Sequence, residues 1–330
     1  MADGALARRT LFSGLLLALA VVLILSLGMG AVAIPPGRVI AALLARVPGT
    51  PTVATTEITI VWDLRLARAL LALVVGGGLA AAGAAYQALF RNPLADPFVI
   101  GASGGAALGA TLAIALGGIL VMPAAFLGAL GATALVYTLA QTGSRPSAVN
   151  LLLAGAALST LISALVSLLM VLNDRSLHEV FAWLMGSFSG RSWPHLAAAA
   201  PAVVIGVAML WAMARPLDAL ALGEESASSL GLNLTWARTA IVAAATLATA
   251  AAVASGGIIG FIGLLAPHMA RRLDGGLHWR LIPLSALLGA FLLLLADDLA
   301  RTIVAPVELP VGVLTALLGA PFFLWLLKRG

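Results

Sequence analysis

The sequence predicts an all-α protein that crosses a membrane about ten times, and three observations carry that prediction. Hydrophobic residues make up 62% of its 330 residues and charged ones 9%, against about 25% charged in a soluble domain. The apolar residues are gathered into runs of the length a bilayer requires, roughly 20 residues for about 30 Å of hydrocarbon. Short segments rich in proline, glycine and arginine separate those runs.

Arg8 and Arg9 precede the first run, 11–33. It is too long for a signal-peptide core and lacks a clear cleavage site, so it reads as a span. A polar segment with Pro35, Pro36, Arg38, Arg46, Pro48 and Pro51 follows, too broken to be embedded. Span two is expected at about 64–89, with Asp63, Arg65 and Arg68 in its first turns. FRNPLADP then interrupts the chain, because Pro93 and Pro97 forbid a continuous helix. Spans three and four, at about 98–119 and 123–140, are rich in the glycine and alanine that allow close helix approach. TGSRPS leads to span five at about 148–172.

VFAWLMGSF (180–188) is apolar but too short to cross, and reads as a re-entrant or interfacial helix ending at Ser189-Gly190-Arg191. Span six is expected at about 195–214. The charge-free stretch from Thr239 to Ala270 would be nearly 50 Å of helix at about 1.5 Å per residue, too long for one crossing. A turn at Ser255-Gly256-Gly257 divides it into span seven, about 236–254, and a short span eight, about 258–271. Spans nine and ten fall at about 281–300 and 311–327.

Ten spans place both termini on one side. With those termini cytoplasmic, that side holds eleven Lys or Arg and six acids, whereas the outer side holds seven of each. The bias obeys the positive-inside rule. Counting 180–188 as a span would move the Arg271–Arg280 cluster outside and spoil it. The net charge of +5 is thus a topology signal and not one for nucleic acid. With no cysteine, disulfides and thiolate metal sites are excluded. Lys328 is the single lysine, so no standard P-loop fits, and any ATP must be bound by another chain.

The longest central stretch that a bilayer would reject is RPLDALALGEESASSLGLNLTWAR, 215–238. It reads as two short helical pieces. Gly223 serves as an N-cap, Glu224 and Glu225 lie in the first turn where the helix dipole favours acids, and Gly231 supplies a left-handed C-cap. Ala227 and Leu230, three apart, are expected on one face. The piece is either a handle for another protein or an ordinary polar connection.

Four segments resemble the permease subunits of ABC importers for iron–siderophore complexes, haem and vitamin B12. They are RLARALLALVVGGGLAAAGAAYQALFRNPLADPFVIGASGGAALG (65–109), LGEESASSLGLN (222–233), GGIIGFIGLLAPHMARRL (256–273) and LADDLAR…ELPVGVLTALLGAPFFLWLL (295–327). The resemblance covers nearly the whole chain. It implies the type II ABC importer permease fold as a single transmembrane domain over 1–330 in an inner (plasma) membrane. It also implies two permeases paired about a pathway, as a homodimer or as two different chains. Two ATP-binding subunits that hold ATP and Mg, and a soluble substrate-binding protein, would complete the importer; this chain would hold no cofactor itself.

By the same resemblance Leu222, Gly223, Glu224, Glu225, Ala227, Leu230 and Gly231 form a coupling helix against an ATPase cleft. Arg65 and Arg68, one turn apart, and Arg301 match positions that dock the binding protein. Their alternative is snorkelling with local pairing to Asp63, Asp297 or Asp298. Asn92 and Leu94 match one part of a cytoplasmic gate and Ser147 another, though Ala148 departs from the pattern.

His178, His195, His268 and His278 show no metal-ligand spacing. Trp183, Trp193, Trp279 and Trp325 fall mostly near expected membrane interfaces. A secondary transporter would need carboxylates near the midplane, and Asp297 and Asp298, close to Arg301, are the nearest candidates. No nucleophile–base pair suggests a membrane enzyme. The cargo is open between a ferric siderophore, haem and cobalamin.

Overall fold

A computed structural model describes residues 2–30, 32–45, 53–141 and 148–328. The helices, in order, are α1 (Ala2–Gly28), α2 (Pro36–Leu44), α3 (Thr55–Thr59), a π-helical segment (Ile60–Leu66) and α4 (Ala67–Leu89). Then come α5 (Ala102–Ala115), α6 (Val121–Leu139), α7 (Ala148–Leu172), a 3-10 turn (Asp174–Ser176), α8 (Leu177–Leu184) and α9 (Trp193–Ala212). The chain ends with α10 (Ala214–Ala221), α11 (Glu224–Ser229), α12 (Leu234–Gly256), α13 (Ile262–Asp274), α14 (His278–Thr302) and α15 (Val311–Leu327).

All ten expected spans are helices. Among the described residues seven helical runs are long and apolar enough to cross a membrane, while α5, α13 and α15 are shorter. The second span starts earlier than expected: helix runs without a break from Thr55 to Leu89. Asp63 and Arg65 lie in its π-helical segment. Span three is shorter than expected because residues 98–101 form a turn that ends at Gly101, in a left-handed conformation (φ 84°). The helix at 180–188 also differs, since α8 stops at Leu184 and residues 186–189 are irregular. The Ser187 amide there donates to the carbonyl of Gly256.

The centre of the fold is α4, buried on almost every side. Glycine makes this possible at two crossings. A Cβ at Gly76 would lie 2.3 Å from the carbonyl oxygen of Gly289 on α14, and one at Gly83 would lie 2.0 Å from that of Gly263 on α13. Without side chains at these points the backbones meet directly, the usual route to tight helix packing in a bilayer. The break at Ser255-Gly256-Gly257 is also present, with α12 ending at Gly256 and Gly257 at φ 75°. Two tryptophan pairs hold helix ends. Trp193 stacks on Trp62 at 6.5 Å at one end of the bundle, and Trp211 on Trp279 at 4.5 Å at the other. Trp183, in contrast, is buried in the core.

Candidate functional site

Two groups of the residues singled out above lie at opposite ends of α4. At its C-terminal end α10 and α11 form the small capped unit expected from the sequence. Gly223 at φ 115° precedes α11 and Gly231 at φ 79° follows it, both conformations that L side chains rarely adopt. The end of α11 is a Schellman turn: Leu232 donates to the Ala227 carbonyl and Gly231 to that of Ser228.

The expected shared face of Ala227 and Leu230 is not observed. Ala227 is fully buried, whereas Leu230 is 70% exposed. The helix ends at Ser229, so Leu230 turns outward at the C-cap. Leu222 is likewise 74% exposed on the other flank. Glu225 is exposed, whereas Glu224 is half-buried and forms an ion pair with buried Arg238 of α12. Two leucines and Glu225 therefore face outward, and Ala227 and Glu224 anchor the unit. A mainly polar cleft of about 350 Å³ lies beside them, lined by Ser228, Gly231, Leu232, Asn233, Leu234 and Thr235.

Two connections tie this unit to the helices beneath it, and Arg91 lies beside it. Glu224 holds α12 through Arg238. On α10, Asp218 accepts from both the backbone amide of His278 (2.9 Å) and its Nδ1 (2.6 Å), which fixes the start of α14. Arg91, just after α4, brings Nη1 to within 3.6 Å of where a Cβ of Gly223 would sit.

Arg91 itself is left-handed, at φ 49°. It closes a second Schellman turn, with Asn92 donating to Gln87 and Arg91 to Ala88. Asn92 Oδ1 then accepts from the Leu94 amide at 2.9 Å, so both expected gate residues belong to one Asx turn, and both are exposed. Ser147 lies outside the described residues.

Asp96, in the same loop, accepts from the Phe98 amide at 2.9 Å. Burial nevertheless pushes its carboxyl up to about 6, the hydrogen bond only partly opposing it. A raised folded value means that its stabilising contribution is complete below about pH 4 and is lost as pH rises through about 6. Asp96→Asn is therefore expected to raise the thermal midpoint at neutral pH and leave it unchanged near pH 4, as read by thermal unfolding at both.

The other end of α4 carries the three arginines expected to dock a binding protein. Arg65, Arg68 and Arg301 are 8%, 8% and 6% exposed, and each is occupied within the chain. Arg65 donates to the carbonyls of Leu27 (2.8 Å) and Val32. Arg68 makes a fork on Asp297, Nε to Oδ2 at 2.9 Å and Nη2 to Oδ1 at 2.8 Å, and reaches Glu308 at 2.8 Å. Arg301 pairs with Asp298 and donates to Ser26 Oγ at 2.9 Å. Burial alone would raise Glu308; the hydrogen bond and charge of Arg68, with help from Ser189 and Arg301, hold it below the usual range.

Arg68 and Arg301 thus make the local pairing with Asp297 and Asp298 that was the alternative expectation, in a network joining α1, α4 and α14. Asp63, one of the acids expected nearby, points to solvent instead. Asp297 and Asp298, the carboxylates on which a secondary transporter would depend, are each engaged by an arginine.

No group of three or more His, Cys, Asp or Glu able to hold a metal occurs among the described residues. His195 is part of a capping box with Ser192 at the start of α9. Sequence reasoning missed Asp218, Arg238 and His278 as linking residues. Asp218 and His278 are 60 positions apart, and no local pattern pairs them.

The chain matches the FecCD transport family over residues 17–329. It is similar to the cobalamin import system permease protein BtuC of Halobacterium salinarum, 44% identical over 279 residues, covering 84% of this chain and 75% of that one. The hemin transport system permease protein HmuU of Yersinia pestis is 43% identical over 285 residues, covering 82% and 83%. The Fe(3+) dicitrate transport system permease protein FecD of Escherichia coli is 42% identical over 274 residues, covering 82% and 85%. Among solved structures, an inward-facing metal-chelate type ABC transporter superposes with a TM-score of 0.85 at 34% identity, covering 98% of this chain and 100% of that one.

Proposed function

The chain belongs to the FecCD transport family, a multi-pass permease of the ABC transporter class, and on that premise we propose that it forms the pathway of a binding-protein-dependent, ATP-driven importer. The observation that carries this reading is the capped α10–α11 unit. It exposes two large leucines, Leu222 and Leu230, while two separate polar links fasten it to α12 and α14.

Such a unit transmits force. A nucleotide-driven partner that closes on α11 would push α12 through Glu224–Arg238 and α14 through Asp218–His278. The exposed Asn92–Leu94 turn lies beside this unit, next to Arg91, and we assign that turn to the gate. ATP and Mg would be held by the two partner subunits. The charge bias puts the α11 face in the cytoplasm with both termini, and the Arg68–Asp297 network at the outer face. A soluble binding protein would deliver cargo there. An acid presented by that protein would have to displace Glu308 to reach Arg68, because Arg65 and Arg301 are occupied deeper in the network.

A second copy of the chain would complete the pathway, and the exposed leucines of α7 and α15 (Leu153, Leu161, Leu168, Leu317) leave it apolar surface to cover. The relatives carry cobalamin, haem and ferric citrate in their names at nearly equal identity, so likeness alone does not choose among them. We take an iron chelate or cobalamin as the cargo class. In proteoliposomes holding this chain, its ATPase and its binding protein, import of a ferric chelate or cobalamin is expected to require ATP and to ignore a protonophore. Import driven by a proton gradient without ATP would overturn the reading.

A further inference from the structure

An apolar groove of about 420 Å³ between α4, α9 and α14 has no part in the coupling or gating described above. Its walls include Gly77 from α4, Val204, Ala208 and Trp211 from α9, and Pro283 and Ala286 from α14. From Val204 to Trp211 it follows α9 for roughly 10 Å at 1.5 Å per residue, a depth suited to part of an acyl chain. It lies along three helices long and apolar enough to cross the bilayer.

One end of the groove has a different chemistry. There Trp211 stacks on Trp279, and its Nε1 donates to the Trp279 carbonyl at 2.9 Å. Paired indoles of this kind mark the depth of lipid headgroups. Arg280 follows Trp279 directly and shares a helix face with groove-lining Pro283, three residues on. It makes a long ion pair with Asp274, at 3.8 Å, and is itself partly exposed. Arg215 is exposed at the start of α10, immediately beyond α9, and α10 is fixed to the first residue of α14 by Asp218–His278. Two arginines are thus placed on the elements that meet at the headgroup end of a tail-sized groove.

We propose that this is a binding site for one anionic phospholipid, with an acyl chain in the groove and its phosphate on Arg215 and Arg280. The groove takes no part in cargo passage, although Arg215 lies on α10 of the coupling unit. Only its assignment to the cytoplasmic leaflet rests on the orientation proposed above.

The test is native mass spectrometry of the full chain, purified in mild detergent and titrated with phosphatidylglycerol or phosphatidylcholine. Wild type is expected to retain one phosphatidylglycerol in preference to phosphatidylcholine. A basic residue near an anionic headgroup contributes about fivefold, so Arg215→Gln with Arg280→Gln should weaken that preference on the order of 25-fold. Ala208→Trp, at an exposed position on the groove wall, should reduce retention of both lipids while leaving lipid-free thermal unfolding unchanged. Equal retention of the two lipids by wild type, a preference that survives the double substitution, or full retention in Ala208→Trp would each overturn the site. So would a dimer that retains neither lipid, which would mean that a second copy covers the groove.

Discussion

Arg68→Met is expected to lower the stability of the detergent-purified protein by about 3–5 kcal/mol, the usual cost of removing one partner from a buried ion pair. The reason is the position of Asp297, which is fully buried and takes its two strongest hydrogen bonds from the Arg68 fork. Without that guanidinium its remaining cation among the described residues is Arg301, whose Nε lies 3.5 Å away. A carboxylate cannot stay ionised there cheaply, and α4 and α14 would lose the polar contact that fixes their ends. Removing both charges, as in Arg68→Met with Asp297→Leu, should recover most of the loss, because the desolvation cost disappears together with the attraction. Thermal unfolding followed by tryptophan fluorescence would measure each variant. If Arg68→Met unfolds like wild type yet no longer captures the soluble binding protein, the arginine serves docking and the structural assignment is wrong.

How much could be read in advance depended on whether the signal was local. The break at Ser255-Gly256-Gly257 and the caps at Gly223 and Gly231 were legible because each rests on a backbone conformation that glycine adopts at little cost. The apolar runs were legible because a bilayer fixes their length. The arginine network was legible only in part, as the alternative in which Arg68 and Arg301 pair with Asp297 or Asp298. Arg68 meets Asp297 across 229 positions and Glu308 across 240, and sidedness alone does not say which charges face each other. The early start of the second span was hidden by polar TTE (55–57) and by Asp63, which lie beyond the apolar stretch but continue its helix. For α11 the spacing of Ala227 and Leu230 suggested a common face, but the helix is too short to keep it. A residue at the cap follows the turn and not the helical wheel.

That distinction decides how coupling should be probed. Glu224 and Ala227 are poor targets, because the first holds Arg238 and the second is buried, so changing either disturbs the fold together with any contact. Leu222 and Leu230 are 74% and 70% exposed and support nothing beneath them. Leu222→Asp combined with Leu230→Asp is therefore expected to leave membrane insertion and thermal unfolding unchanged while abolishing uptake. A central apolar contact in a protein interface contributes about 2 kcal/mol or more, roughly 30-fold in affinity for one such residue. Co-purification of the ATPase should fall with uptake, and raising the ATPase concentration should restore part of the activity. Ala227→Asp would behave differently, losing thermal stability first. If the double leucine variant imports at the wild-type rate, α11 is not the surface through which ATP hydrolysis reaches the pathway. The force would then have to enter through another part of that face, with the exposed Asn92–Leu94 turn the next segment to test.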